Sequence, residues 1–159
     1  MRVLFEGELL ADYHQLYVAD ALNGLDELPQ DWNDEILARR VNLGPGVIVV
    51  STARNMPVPF RVELHESAPE IDLDAVDHAV ECGIVTSGEI VVAGLMDYAP
   101  DAARASVPAG RLRALVVSIG LDTLSEDGLD GDDAYVVRLW PGAGDEVLVR
   151  KQWIDAPTG

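Results

Sequence analysis

Cysteine is nearly absent. Cys82 stands alone in 159 residues, which excludes an internal disulfide and any dependence on an oxidising compartment. Lysine is as scarce, with Lys151 the only one, and 11 basic residues face 28 acidic ones for a formal charge of −17. Nucleic-acid affinity rests largely on Lys and Arg contacts to phosphates, so this shortage of cations argues against DNA or RNA as a partner. Aromatic residues make up only 6%. Long apolar runs are missing as well. In the opening MRVLFEGELL, acidic residues break a short apolar stretch, and neither the h-region of a signal peptide nor a spanning segment is present. No membrane association is expected, and the cytoplasm is the expected location.

What remains is ordinary globular material: 48% hydrophobic and 25% charged residues, enough to bury one core. Residues 1–159 are expected to form a single domain. Strand signals dominate, as short β-branched runs bounded by Gly, Pro, Asn and Asp. The clearest is Pro57 to Leu64, where period two places Val58, Phe60, Val62 and Leu64 on one face. Similar runs are Arg2 to Glu8, Tyr13 to Ala19, Gly46 to Thr52, Glu89 to Leu95, Leu112 to Ile119, Tyr135 to Trp140 and Glu146 to Trp153. Asp72 to Cys82 fits a helix or a strand; the strand, with Val76, His78, Val80 and Cys82 inward, is preferred. In either form Asp77 and Glu81 lie outside. Short helices are expected around Trp32 to Arg40 and at Ala99 to Ala105. Gly and Pro clusters mark the turns, and Pro141 to Gly144 reads as a hairpin between the last two strands. Eight or nine such strands predict an all-β, mainly antiparallel fold, a two-sheet β-sandwich of jelly-roll-like character with one or two short helices.

Charge is uneven along this frame. Glu66, Glu70, Asp72, Asp74, Asp77 and Glu81 form one block without a base, and Asp122, Glu126, Asp127, Asp130, Asp132 and Asp133 form a second. The first 38 residues add nine acids against one arginine. The remaining arginines lie in or beside strands, where they offset part of the field, so negative potential should concentrate on the loops. These twelve carboxylates are the candidate partner-binding residues. An acidic field favours encounter with basic partners and maintains solubility.

Signals of catalysis are weak. No G-x-S-x-G elbow exposes a nucleophile, and Ser87 before Gly88 reads as a hairpin turn. Cys82 lies in an apolar strand context, where a thiol is inert. His14, His65 and His78 lack ligand spacing. A metal site would need His65 to meet Glu66, or His78 to meet Asp77 and Glu81. The acidic segment from Asp127 to Asp133 departs from the EF-hand pattern, with Leu129 at a ligand position. Gly142 and Gly144 precede a strand, without the lysine and helix of a phosphate cradle. Trp140, at the end of its strand, is expected to cap the core rather than stack on a sugar. No catalytic residue, metal or cofactor is expected.

Four segments, taken in order, resemble the family of competence protein J: Tyr13-His-Gln-Leu-Tyr-Val, Gly44-Pro-Gly46, Asp77-His-Ala-Val-Glu-Cys82 followed by Ser87-Gly88, and Tyr135-Val-Val-Arg-Leu-Trp-Pro141. The family's best-known role is inhibition of a competence nuclease. The resemblance implies an acidic inhibitor covering a basic nuclease cleft, with loop carboxylates standing where DNA phosphates would sit. The expected function is therefore an acidic protein-binding module, an inhibitor or immunity-type partner of a nuclease or other basic protein. The alternative is a small-ligand or carbohydrate-binding sandwich, with a metal-dependent enzyme behind it.

Overall fold

The computed structural model describes residues 1–26, 28–94 and 102–154. Its strands are β1 (Arg2–Leu10), β2 (Gln15–Asp20), β3 (Val41–Gly44), β4 (Val47–Ser51), β5 (Pro57–Leu64), β6 (His78–Thr86), β7 (Glu89–Gly94), β8 (Ala103–Ser106), β9 (Gly110–Ile119), β10 (Ala134–Pro141) and β11 (Leu148–Lys151). Among the described residues, a single α-helix, α1 (Asp34–Arg39), precedes β3. One sheet has the order β1-β5-β10-β9-β6-β11 and the other β3-β4-β2-β7-β8. Every pairing is antiparallel except β5 with β10, which is parallel. No helix among the described residues is long and apolar enough to cross a membrane.

The alternation read in β5 explains how the sheets stack. Val58, Phe60 and Val62 are buried and join Leu16, Val18, Ile48 and Val50 of the opposite sheet in one core. The all-β sandwich expected from the sequence is what the residues form. Each sheet also carries a small apolar cluster on its outer face. On the six-stranded sheet it comprises Val76, Ala79, Leu115, Val117 and Trp140, with Ile71 packed on it. Trp140 is thus buried, as expected, yet on the outside of its sheet. On the five-stranded sheet, Tyr17, Ala19, Val47 and Val49 are covered by Leu25, Leu28 and Trp32.

Several expectations are corrected. Pro141 to Gly144 is not a hairpin: β11 pairs with β6 at the far edge of the sheet. The chain is drawn across β9 because Gly142 N donates to the Arg111 carbonyl and Arg113 Nη1 to the Gly144 carbonyl, at 3.3 and 3.0 Å. Ser87 is not in a hairpin either. It carries the chain between sheets, where its backbone N and Oγ both donate to Asp20 Oδ1 at 2.8 Å. The expected helix at Ala99 to Ala105 lies outside the described residues up to position 101. Its described end belongs to β8, where Ala103 and Ala105 pack inward between exposed Arg104 and Ser106. Leu95, expected to end β7, is also outside the described residues. The ambiguous Asp72 to Cys82 divides into a 3-10 turn at Leu73–Ala75 and the start of β6. β3 was not expected; four residues are too few for a readable alternation.

Candidate partner-binding surface

The first acidic block is the chain that leaves β5 and crosses the outer face of the six-stranded sheet. Ile71 and Val76 anchor it in the outer cluster, so Glu66, Glu70, Asp72 and Asp74 project to solvent. Asp72 caps the following 3-10 turn, accepting from Asp74 N at 3.0 Å. The second block is a loop folded on its own hydroxyls. Asp130 N donates to Ser125 Oγ and Asp132 N to Thr123 Oγ1, at 3.0 and 2.7 Å. Asp127 accepts from Ser125 Oγ at 2.5 Å and from Leu129 N at 3.0 Å. The Ser125 and Leu129 bonds lower its pKa below the usual carboxylate value. Gly120 starts the loop at φ 69, and a Cβ there would lie 2.4 Å from the Asp132 carbonyl oxygen, so only glycine permits this closure. Asp122, Glu126, Asp127, Asp130 and Asp132 are exposed.

The two blocks meet. Asp77 Oδ2 accepts from Leu121 N at 2.8 Å, and Asp77 N donates to the Ser118 carbonyl. Residues more than 40 positions apart in sequence thereby place Asp74 and Asp122 on flanks of one joint.

Three candidate carboxylates are held internally instead of facing a partner. Asp133 is fully buried: Oδ1 accepts from Arg54 Nε at 2.5 Å and Oδ2 from the Tyr135 hydroxyl at 2.6 Å. Glu81 does not stand free outside β6; it binds Arg113 at 2.7 Å and Arg150 at 2.6 Å. Burial would raise its pKa, but the bonds from Arg150 and Arg113 outweigh that and hold it low. Asp77 is the loop clasp just described.

Most of the arginines are held in the same way, while Arg39 donates to the Val41 carbonyl. Glu63 gathers Arg61, Arg138 and His65 on the outer face of the sheet, at 2.5, 3.4 and 2.9 Å. Its burial raises the pKa, and the His65 and Arg61 bonds and the Arg138 charge reverse the shift to a net lowering. Arg104 pairs with Glu89 and Arg111 with Asp145. Among the described residues, none of the ion pairs reaches Glu66, Glu70, Asp72, Asp74, Asp122, Glu126, Asp127, Asp130 or Asp132. Sequence reading missed this Glu63 node, because charge partners in different strands leave no spacing signal.

The histidines do not converge. His14 binds the Thr52 carbonyl, His65 binds Glu63 instead of Glu66, and His78 is buried. Among the described residues, no group of three His, Cys, Asp or Glu side chains is placed to hold a metal ion. Cys82 is buried, which pushes its thiol up to about 12 and leaves no thiolate near neutrality. His78 has a defined tautomer. Trp153 N donates to Nδ1 at 3.0 Å, so Nε2 carries the proton and donates to the Arg39 carbonyl at 2.7 Å. A second proton would confront the Trp153 N–H.

Burial, assisted by the Arg40 charge, lowers the His78 pKa below its unfolded value near 6.5. The unfolded chain then binds more protons than the folded one below that pH. Stability from this site is present above pH 6.5 and falls as pH drops towards the folded pKa. Thermal melts between pH 7.5 and 5 should show a declining midpoint that flattens in His78→Gln; an unchanged slope in the variant would remove His78 as the source.

An acidic two-sheet sandwich with paired arginines and open carboxylate loops is the class of molecule these observations define. No protein-family model and no curated protein matches the sequence. Among solved structures, the fold is shared with ComJ from Bacillus subtilis, described as the inhibitor of the DNA degrading activity of NucA. The TM-score is 0.65 at 18% identity, over 87% of this chain and 96% of that one. It is also shared with the product of crocagin biosynthetic gene J, at a TM-score of 0.58 and 20% identity over the same shares. The likeness to a ComJ-like fold agrees with the resemblance noted in the sequence.

Proposed function

We propose that this chain is a non-catalytic protein-binding module that inhibits a nuclease by covering its basic, phosphate-binding surface. The observation that carries the reading is the division of charge. Seven arginines are paired with carboxylates within the fold, whereas among the described residues the nine exposed carboxylates on two adjoining loops take part in none of these pairs. Such a field steers a basic partner and repels DNA. The shared fold with an inhibitor of a DNA-degrading nuclease supports the same reading. Nucleic acid, membranes and cofactors have no part in it.

NucA is the direct probe. The chain should suppress DNA degradation by NucA at low salt and lose much of that effect at about 1 M salt, where the Debye length is about 3 Å. Neutralising Asp122, Glu126, Asp130 and Asp132 to Asn or Gln should slow association by about 10-fold or more, with an unchanged melting temperature. Asp127 is left intact because it holds the loop. Full NucA activity at every ratio of chain to nuclease would overturn the proposal.

A further inference from the structure

The outer face of the six-stranded sheet is divided. The segment that carries the first acidic block packs Ile71 and Val76 onto the apolar cluster over β6, β9 and the end of β10. Across β1, β5 and the start of β10, the described residues leave an open depression of about 360 Å³. Strand register builds it. Phe5 and Leu9 pack on the core, so period two turns Glu6 and Glu8 outward. The same alternation turns Pro59 and Arg61 outward in β5, and Ala134 and Val136 in β10. Glu8 stands level with Pro59 and Glu6 with Arg61, and Val136 lies level with Arg61 on the other side.

Floor and rim differ in chemistry. Pro59, Ala134 and Val136 give an apolar floor, and the charged lining residues are Glu6, Glu8 and Arg61. Arg61 is committed within the fold: Nη1 donates to Glu6 Oε2 and Nε to Glu63 Oε2, both at 2.5 Å. Glu8 is exposed, and among the described residues it enters none of the ion pairs. The depression thus offers an apolar floor with a carboxylate beside it that no internal cation pairs.

That combination selects its occupant. An anionic group would meet Glu6 and Glu8. A purely apolar side chain would cover the floor but strip water from Glu8 without replacing it by a partner. A lysine or arginine meets both requirements, its methylene stem on the floor and its cationic head at Glu8. The position agrees with a basic protein as the source. Ile119, where β9 ends, pairs with Ala134, where β10 begins. The second acidic loop therefore leaves and re-enters the sheet beside the depression, and exposed Asp132 is two residues from Ala134.

We infer that the depression over Pro59, Ala134 and Val136 receives a lysine or arginine side chain of the basic protein partner, with Glu8 as its counter-ion. This rests on the nuclease-inhibitor reading and specifies one contact within it. Loop carboxylates act at a distance and set mainly the association rate, whereas a seated cation slows dissociation. The test measures association with NucA, dissociation from it and inhibition of its DNA degradation. Wild type, Glu8→Gln, Ala134→Ile and the four-carboxylate loop variant are compared, each with a thermal melt. Glu8→Gln removes the charge at constant size, and Ala134→Ile fills the floor with a residue suited to a strand, so both should melt as the wild type does. Each should leave NucA about 10-fold faster or more, with association changed less than in the loop variant. If Ala134→Ile lowers the melting temperature, Ala134→Val takes its place. Wild-type dissociation in either Glu8→Gln or the filled variant would overturn the inference and leave the nuclease-inhibitor reading standing. If the wild type itself leaves NucA fully active, that reading fails and the inference with it.

Discussion

Replacing Asp133 with alanine should lower unfolding free energy by about 3–5 kcal/mol, because it strands a buried guanidinium. Arg54 is 8% exposed and Asp133 0%. Arg54 donates through Nε to Asp133 and through Nη1 to the Leu129 carbonyl at 3.3 Å, so the pair also ties the second acidic loop to the strand connection after β4. Tyr135 completes the group. Its hydroxyl donates to Asp133 and accepts from Ala53 N at 2.7 Å, and burial followed by the Asp133 bond raises its pKa. Without the carboxylate, the guanidinium stays charged with one weak acceptor, and desolvation of a cation is expensive. Asp133→Asn keeps one acceptor oxygen and should fall between wild type and alanine. Arg54→Met combined with Asp133→Leu should recover most of the loss, since an apolar pair carries no stranded charge. Urea unfolding of the wild type and the three variants measures this. A loss below about 1 kcal/mol for Asp133→Ala would place the pair with ordinary surface ion pairs and contradict the account.

Phe60→Ala should cost about 3–5 kcal/mol by a different route, the cavity left in a packed core. β5 is interior to its sheet, flanked by β1 and β10, and Phe60 lies between Gly7 and Tyr135 in register. Its ring is 1% exposed and meets Phe5 at a centroid distance of 6.4 Å and a tilt of 52°. Because Gly7 has no side chain, little nearby can collapse into the space. Phe60→Leu retains most of the volume and should cost well under half as much. The denaturant midpoint should move while the m-value holds, since the sandwich stays cooperative. Equal losses for Leu and Ala would mean that ring contacts, and not volume, govern the site.

These two residues also divide what was legible from what was not. Phe60 was readable because period-two alternation is local: Val58, Phe60, Val62 and Leu64 fall on one face whatever the strand pairs with. The same logic gave nine of the eleven strands among the described residues approximately, and it failed at β3 and β8, where four residues of mixed or small type give no contrast. Asp133 was not readable. It sits in an acidic run indistinguishable from its exposed neighbours Asp130 and Asp132, and only the approach of Arg54, 79 positions away in sequence, turns it inward. Glu81 and Asp77 belong with Asp133 for the same reason.

By itself the sequence determined composition, sign of charge and the sandwich, because hydrophobic periodicity and a count of Asp and Glu are properties of short segments. Tertiary structure decided which carboxylates remain open to a partner. Sheet register sets Glu81 beside Arg113 and Glu63 beside Arg138, and the outer apolar clusters fix where the acidic segments lie. Backbone conformation decided the rest. Tyr13, His14 and Arg40 are unremarkable as residue types, yet all three adopt left-handed backbone conformations, Arg40 as the C-cap of α1 with its N–H on the Ile36 carbonyl and Tyr13 and His14 in the 3-10 turn that leads into β2.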